Sequence, residues 1–240
     1  MYDLPGYIWA TLLVGVIGGL AALCVALYRG AIQAGLGRPR AAGVAAAAAV
    51  LLGGWLVATS LIALTGAYNN RRLPIPLTAI VDLAMFIALL AATRIPIVSR
   101  ALAAPGTAAR LAIPQTVRIV GVVWVLAAVS TPLSLIFAVP AFLGDTATGA
   151  AAPFVAQRLA RGNGRREAIW FNAFGLAELV FAIVMAVSSI FFFGYQSIEP
   201  LRLLPLVLAP TFGVPLAMAM HVVSLGQLLS RRAPARALQT

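Results

Sequence analysis

Seven polar side chains stand inside stretches that are otherwise very apolar: Asp82, Gln115, Arg118, Asp145, Asn172, Glu178 and His221. An ionisable group in an apolar interior costs on the order of 3 kcal/mol or more unless it is paired or wetted, so such residues are candidates for ligand binding or proton relay. Glu178 and Asp82 have the chemistry to exchange a proton or hold a cation. An unperturbed imidazole titrates near neutrality, so His221 suits a relay, and Arg118 suits a counter-charge or an anion contact. The competing reading is that these groups satisfy one another, through an Arg118–carboxylate pair or through His221 donating to a backbone carbonyl freed by Pro215. The spacing groups them on helix faces. Gln115 and Arg118 are three apart, and Asp145, Thr148, Gly149 and Ala152 share a face. Asn172, Gly175 and Glu178 recur every three residues, and Thr211, Pro215, Met218, His221 and Ser224 form a similar stripe. Stripes of this kind point at other helices or at a cavity rather than at lipid.

The elements that position them follow from composition. The chain of 240 residues is 62% hydrophobic and 10% charged, with a mean hydropathy of +1.00. An ordinary soluble domain has about 25% charged residues, so lipid must be the solvent for much of this chain. Backbone groups in lipid are bonded internally, which leaves helices or a closed barrel. The apolar runs are long and do not alternate as barrel strands do, so helices are predicted. Lys is absent, which excludes a retinal Schiff base, a linkage that needs a Lys amine. The net charge is +11 and all of the basic residues are Arg. They sit at the ends of apolar runs, a pattern of membrane topology and anionic headgroups rather than of nucleic-acid binding. Cys24 is the only cysteine, so neither an internal disulfide nor a thiolate cluster is expected. The start, Met1-Tyr2-Asp3, has no basic leader, and the first apolar run reads as a retained span.

Spans are predicted over 6–28, 42–66, 76–94, 115–139, 141–160, 168–193 and 203–230, with Pro132 kinking the fourth. Residues 95–114, interrupted by Pro96, Pro105, Gly106 and Pro114, read as a loop with one or two interfacial helical turns. The fifth span is the least apolar, and charge decides for it. Counting it leaves Arg29, Arg38, Arg40, Arg94, Arg100, Arg110, Arg158, Arg161, Arg165, Arg166, Arg231, Arg232 and Arg236 on one side. Only Arg71, Arg72 and Arg202 fall on the other, and the positive-inside rule makes the crowded side cytoplasmic. The expectation is an all-α integral membrane bundle of seven transmembrane helices, N-terminus outside and C-terminus cytoplasmic. It forms a single domain, 1–230, with a basic cytoplasmic tail, 231–240. The Ala- and Arg-rich, Lys-free composition fits a GC-rich bacterial genome and hence the bacterial inner (plasma) membrane.

Helical rise converts position into depth. Counted from Glu167, Arg231 and Arg94, the residues Glu178, His221 and Asp82 lie about 16, 15 and 18 Å from the cytoplasmic ends of their helices, at about 1.5 Å per residue. All three depths fall near the middle of an apolar slab about 30 Å thick. Arg118, at the start of its predicted span, is expected below them at the inner mouth. A metal held by Asp82, Glu178 and His221 would suit iron or zinc by ligand type, but no HxxxH or ExxH spacing is present, and haem through His221 lacks a second ligand. No cofactor is therefore expected. The RGNGR stretch, Arg161–Arg165, reads as an exposed basic turn, and the four Trp residues as interface anchors or packing residues.

Several motifs together carry a resemblance. They are Gln115-x-x-Arg118-x-x-Gly121, then Phe137-Ala138-x-Pro140-Ala141-x-x-Gly144-Asp145 with Gly149 and Ala152, then Trp170-x-Asn172-x-x-Gly175-x-x-Glu178-Leu179, and last Pro205 to His221 with Ser224-Leu225. Over residues 111–230 this pattern resembles a group of uncharacterised bacterial multi-pass membrane proteins. The resemblance implies that Gln115, Arg118, Asp145, Asn172, Glu178 and His221 form one site. Pro114-Gln115 also resembles the PQ-loop transporters, but those need a second such dipeptide and none is present. The leading expectation is a buried polar site that binds or transports a small solute, coupled or not to a proton. A homo-oligomer is one way for so short a chain to complete a pathway. The alternatives are a membrane-embedded enzyme, a cofactor- or ligand-binding sensor, or a partner subunit without a small-molecule site.

Overall fold

The computed structural model describes residues 4–70 and 75–230, and there it is all helix, without strands. Arg71, Arg72 and the basic tail 231–240 lie outside the described residues. The helices are α1 (Gly6–Gln33), α2 (Arg38–Leu64), α3 (Leu77–Ala92), α4 (Pro96–Ala103), α5 (Thr107–Ala112), α6 (Val122–Ser130), α7 (Leu135–Ala160), α8 (Arg165–Phe193) and α9 (Val214–Ser230). A 3-10 stretch, Ile113–Gly121, joins α5 to α6, and a π-helical turn, Ala209–Gly213, leads into α9. Among the described residues six continuous helical segments are long and apolar enough to cross a membrane: α1, α2, Thr107–Ser130, α7, α8 and Ala209–Ser230. α3 is shorter and meets α4 at a bend of 80°.

The first span runs on to Gln33 where 28 is expected, and the last begins at Ala209 where 203 is expected; the larger differences lie between 95 and 141. Residues 95–114 hold two short helices, and the second of them, α5, runs straight on as the first turns of a span. The predicted helix 115–139 is in fact cut by the extended segment before α7. Thr131 lies at φ −145°, as the residue before a proline is pushed to do, and Pro132 has no N–H to offer a helix. Ser134 then caps α7 by accepting from the Ile136 amide at 3.2 Å. Pro132 therefore separates two antiparallel helices where a kink was expected. The next span starts near 135 rather than 141, and Pro140 and Pro153 are absorbed inside α7.

Four connections meet at one arginine-rich end. Arg110 of α5 bonds Gln33 at the end of α1 and the Pro105 carbonyl, and Ala101 of α4 is buried with Ala31, Leu36 and Ala41. Arg165, opening α8, donates through Nε and Nη2 to the Leu228 carbonyl of α9 at 3.1 and 2.9 Å. At the other end Ser134 N donates to the Ser197 carbonyl at 2.9 Å, tying the α6–α7 connection to the 3-10 turn Tyr195–Arg202 that follows α8. The outside of the bundle is covered by side chains such as Val50, Leu51, Leu61, Val129, Phe191 and Phe192, each more than half exposed. Apolar surface on that scale is a lipid-facing surface.

Close approaches rest on small residues, as lipid-embedded packing requires. Gly15 receives Val120, and Gly18 and Gly19 receive Val117, which seats α1 on the 3-10 stretch. Gly30 of α1 lies under the Ala101 backbone carbonyl of α4, where a Cβ would collide with main chain. Gly43 of α2 has nothing near it. The two positions therefore predict opposite signs. Gly30→Ala should destabilise by about 1–3 kcal/mol through overpacking, whereas Gly43→Ala should stabilise by about 0.5–1 kcal/mol as a helix-interior exchange. SDS-titration unfolding of the two purified variants checks both signs.

Candidate functional site

The site is organised by the 3-10 stretch. At three residues per turn, side chains three apart eclipse, so Gln115, Arg118 and Gly121 fall in one line. These residues, with Pro114, are the buried ones of the stretch. The stretch is unusually long for 3-10 geometry, which rises about 2.0 Å per residue against about 1.5 Å in an α-helix. From Thr107 through α5 to Arg118 the rise is therefore about 19 Å. That depth explains why Arg118 does not sit below the acidic groups at the mouth. It is level with them, because α5 occupies the turns beneath it.

Arg118 is buried, at 7% exposure, and its guanidinium is divided among three helices. Nε donates to Asp145 Oδ1 of α7 at 2.8 Å. Nη2 is ion-paired with Glu178 Oε1 of α8. Nη1 donates to His221 Nε2 of α9 at 3.2 Å. A guanidinium has no acceptor, so His221 Nε2 must be unprotonated and Nδ1 must carry the ring proton. That proton is donated to Asn172 Oδ1 at 2.9 Å. Asn172 is held in this orientation because its Nδ2 donates to the Ala168 carbonyl at 2.7 Å. Asp145 is satisfied on its other oxygen by Trp124 Nε1 at 2.8 Å. His221 is fully buried, with Phe171 edge-on to its ring at 5.6 Å.

Four glycines make room for these groups. A Cβ on Gly121 would strike Asp145, one on Gly144 would strike Glu178, and one on Gly175 would strike the His221 ring. On Gly149 it would strike the backbone at Arg118 and Ile119. In the sequence these glycines stand only as members of the motifs and stripes. The signal was available for three of them, since Gly121 lies in line with Arg118, Gly149 on the face of Asp145, and Gly175 between Asn172 and Glu178. Trp124 is a packing residue, as expected, buried edge-on against Phe137, and it is in addition a hydrogen-bond donor to the cluster.

Of the seven candidates, Arg118, Asp145, Asn172, Glu178 and His221 form one bonded cluster. Gln115 lies one 3-10 turn from Arg118 and donates to the Ala217 carbonyl of α9 at 3.2 Å, and its buried Oε1 has no hydrogen-bond partner. Asp82 stands apart on α3, which packs on α9 and on the π-helical turn, and its buried Oδ1 also lacks a partner. A cavity of about 100 Å³ adjoins the cluster, lined by Gln115, Arg118, Trp124 and Asp145 and otherwise by apolar residues, chiefly of α1, the 3-10 stretch, the π-helical turn and α9. Sites for drug-sized ligands run to about 300–1,000 Å³, so this one admits a few waters or a comparably small solute. Among the described residues no three His, Cys, Asp or Glu side chains gather closely enough to hold a metal.

A family model described as "Domain of unknown function (DUF8737)" matches residues 75–229. The chain belongs to this family. The DUF8737 match contains all seven candidates, and it begins before α3, so it takes in Asp82 where the motif resemblance began only at 111. α1 and α2 lie outside it. No curated protein and no solved structure matches the chain.

The bonding order predicts the effect of breaking it. Arg118→Ala leaves two facing carboxylates without their cation and should cost about 3–5 kcal/mol. Gly175→Ala, which pushes only on the His221 ring, should cost about 1–3 kcal/mol. Denaturant titration of both variants in detergent measures the ratio, and equal, near-zero effects would show that the cluster does not hold the helices together.

Proposed function

We propose that this DUF8737 protein is a seven-span protein of the bacterial inner membrane whose buried Arg118 cluster binds a proton and passes it on, alone or with a solute small enough for the adjoining cavity. The observation that carries the reading is charge. One guanidinium faces two carboxylates, Asp145 and Glu178, and a neutral imidazole, which leaves one negative charge in excess when both acids are ionised. Taking up one proton neutralises the cluster, and an apolar interior favours that state. Asp145 is already engaged on both oxygens, so Glu178 is the group that exchanges the proton. His221, committed at both nitrogens, positions Arg118 in this reading rather than relaying a proton. Asp82 is a second acid on a separate helix.

Proteoliposomes holding a lumenal pH dye test this when a potassium diffusion potential is imposed. The native protein should acidify or alkalinise the lumen well above the empty-vesicle rate. Glu178→Gln, which keeps size and hydrogen bonding but cannot ionise, should fall to the vesicle background. A native rate equal to empty vesicles would remove the proposal. The second reading, a partner subunit in which the cluster is a structural clasp, draws on the complete partner sets of Asp145, Asn172 and His221. It expects Glu178→Gln to alter stability or assembly alone.

The seven-span count is supported by α3, which packs on α9 and on the π-helical turn and whose far end, with Thr93, reaches residues of the arginine-rich end. The cytoplasmic assignment of that end follows its charge. In a Cys24→Ala background, Thr65→Cys and Gln196→Cys should react with an impermeant maleimide in spheroplasts, and Ser99→Cys and Asn163→Cys only after lysis. Thr65→Cys and Ser99→Cys reacting from the same side would mean that α3 does not cross.

A further inference from the structure

A second cavity lies on the opposite face of α9 from the ion cluster. α2 packs on α1, and α3 packs on α9, so these two consecutive helices leave a gap between them. The gap is a cavity of about 420 Å³, walled mainly by aliphatic side chains of α1, α2, α3, α4 and α9, with Leu111 of α5, Met85, Thr93 and Trp55. Its rim residues Ala47, Leu51, Ala88 and Ile95 are exposed on the lipid-facing surface, so the cavity is a groove open to the bilayer. Along α2 it runs from Val44 to Trp55, about 16 Å at about 1.5 Å per residue. One leaflet is half of an apolar slab about 30 Å thick, so the groove spans about the depth of a single leaflet.

The end of the groove next to α4 is charged. Arg94 lies between the lining residues Thr93 and Ile95, Arg100 lies between Val98 and Leu102, and Arg40 precedes Val44 by one helical turn. All three arginines are exposed, and no acidic residue occurs between 83 and 144 or between 4 and 81. The groove thus joins an aliphatic slot of leaflet depth to three exposed guanidinium groups at its arginine-rich end. Guanidinium is the side chain best matched to a phosphate in geometry and charge.

We infer that the groove between α2 and α3 is a binding site for an anionic phospholipid, with an acyl chain along α2 and the phosphate at Arg40, Arg94 and Arg100. This site is independent of proton exchange at Glu178. Native mass spectrometry of the full-length protein in detergent, titrated with phosphatidylglycerol and with phosphatidylcholine of the same chains, tests it. Phosphatidylglycerol should bind more tightly. The double variant Arg94→Gln/Arg100→Gln should lose about fivefold in phosphatidylglycerol affinity for each arginine removed, with phosphatidylcholine unchanged. Ala47→Phe, which fills the groove from an exposed position, should remove binding of both lipids, and Ala88→Phe on the facing wall repeats the measurement should the first variant fail to fold. Equal affinity for the two lipids, or full binding by the groove-filled variant, would overturn the assignment. So would a dimer that Ala47→Phe dissociates, because the groove would then belong to a second copy of the chain.

Discussion

A guanidinium in the middle of an apolar bundle cannot shed its charge, so the structure around it must supply acceptors. Arg118 finds them on three different helices, Asp145 on α7, Glu178 on α8 and His221 on α9. That demand fixes which faces of these helices turn inward and at what depth each must stand. Clusters of this kind need not be more stable than a well-packed apolar core of the same volume, but leaving one member unpaired is expensive. The cluster therefore selects one arrangement of the helices over its neighbours. The selection extends outward through Asn172, which fixes the His221 tautomer, and through Trp124, which fixes Asp145.

Meeting that demand requires close approach as well as charge. Long polar side chains from adjacent helices cannot converge if each backbone carries a Cβ at the crossing. Gly121, Gly144, Gly149 and Gly175 remove it where Asp145, Glu178, the Arg118 backbone and His221 press in. The 3-10 winding of Ile113–Gly121 completes the arrangement by stacking Gln115, Arg118 and Gly121 on one line instead of spreading them around an α-helical barrel. A single α-helical register would turn successive i+3 positions by about 60° away from one another. The unusual winding and the glycines are thus two parts of one solution.

Much of this was legible before coordinates. Apolar run length gave the membrane helices, and the i, i+3 stripes picked out the residues that bond to one another. Depth counting placed Glu178 and His221 together, because each sits in a regular α-helix whose rise is known. It misplaced Arg118 because 95–114 looked too broken by proline and glycine to be helix, so α5 was not counted beneath it. It also grouped Asp82 with the others on depth alone, and depth says nothing about which side of α9 a helix packs on. The break at Thr131–Ser134 was read as a kink because proline within an apolar run gives the same signal whether the chain bends or reverses.

The same helix separates two unlike environments. Leu216 and Met220 of α9 line both the small polar cavity beside Arg118 and the larger apolar groove between α2 and α3. His221, the next residue, carries the contact to the guanidinium. α9 enters through a π-helical turn with Pro210 inside it and Pro215 just after, so the first turns of this helix have fewer backbone bonds to resist bending than a regular helix has. Trp55 of α2 takes up one of the carbonyls there, bonding Thr211 O at 2.9 Å from the groove side. Leu216 and Met220 thus form a wall one side chain thick between the groove and the small cavity beside Arg118. The polar and apolar halves of the bundle are in that sense two faces of one element, and the packing of either depends on where α9 stands.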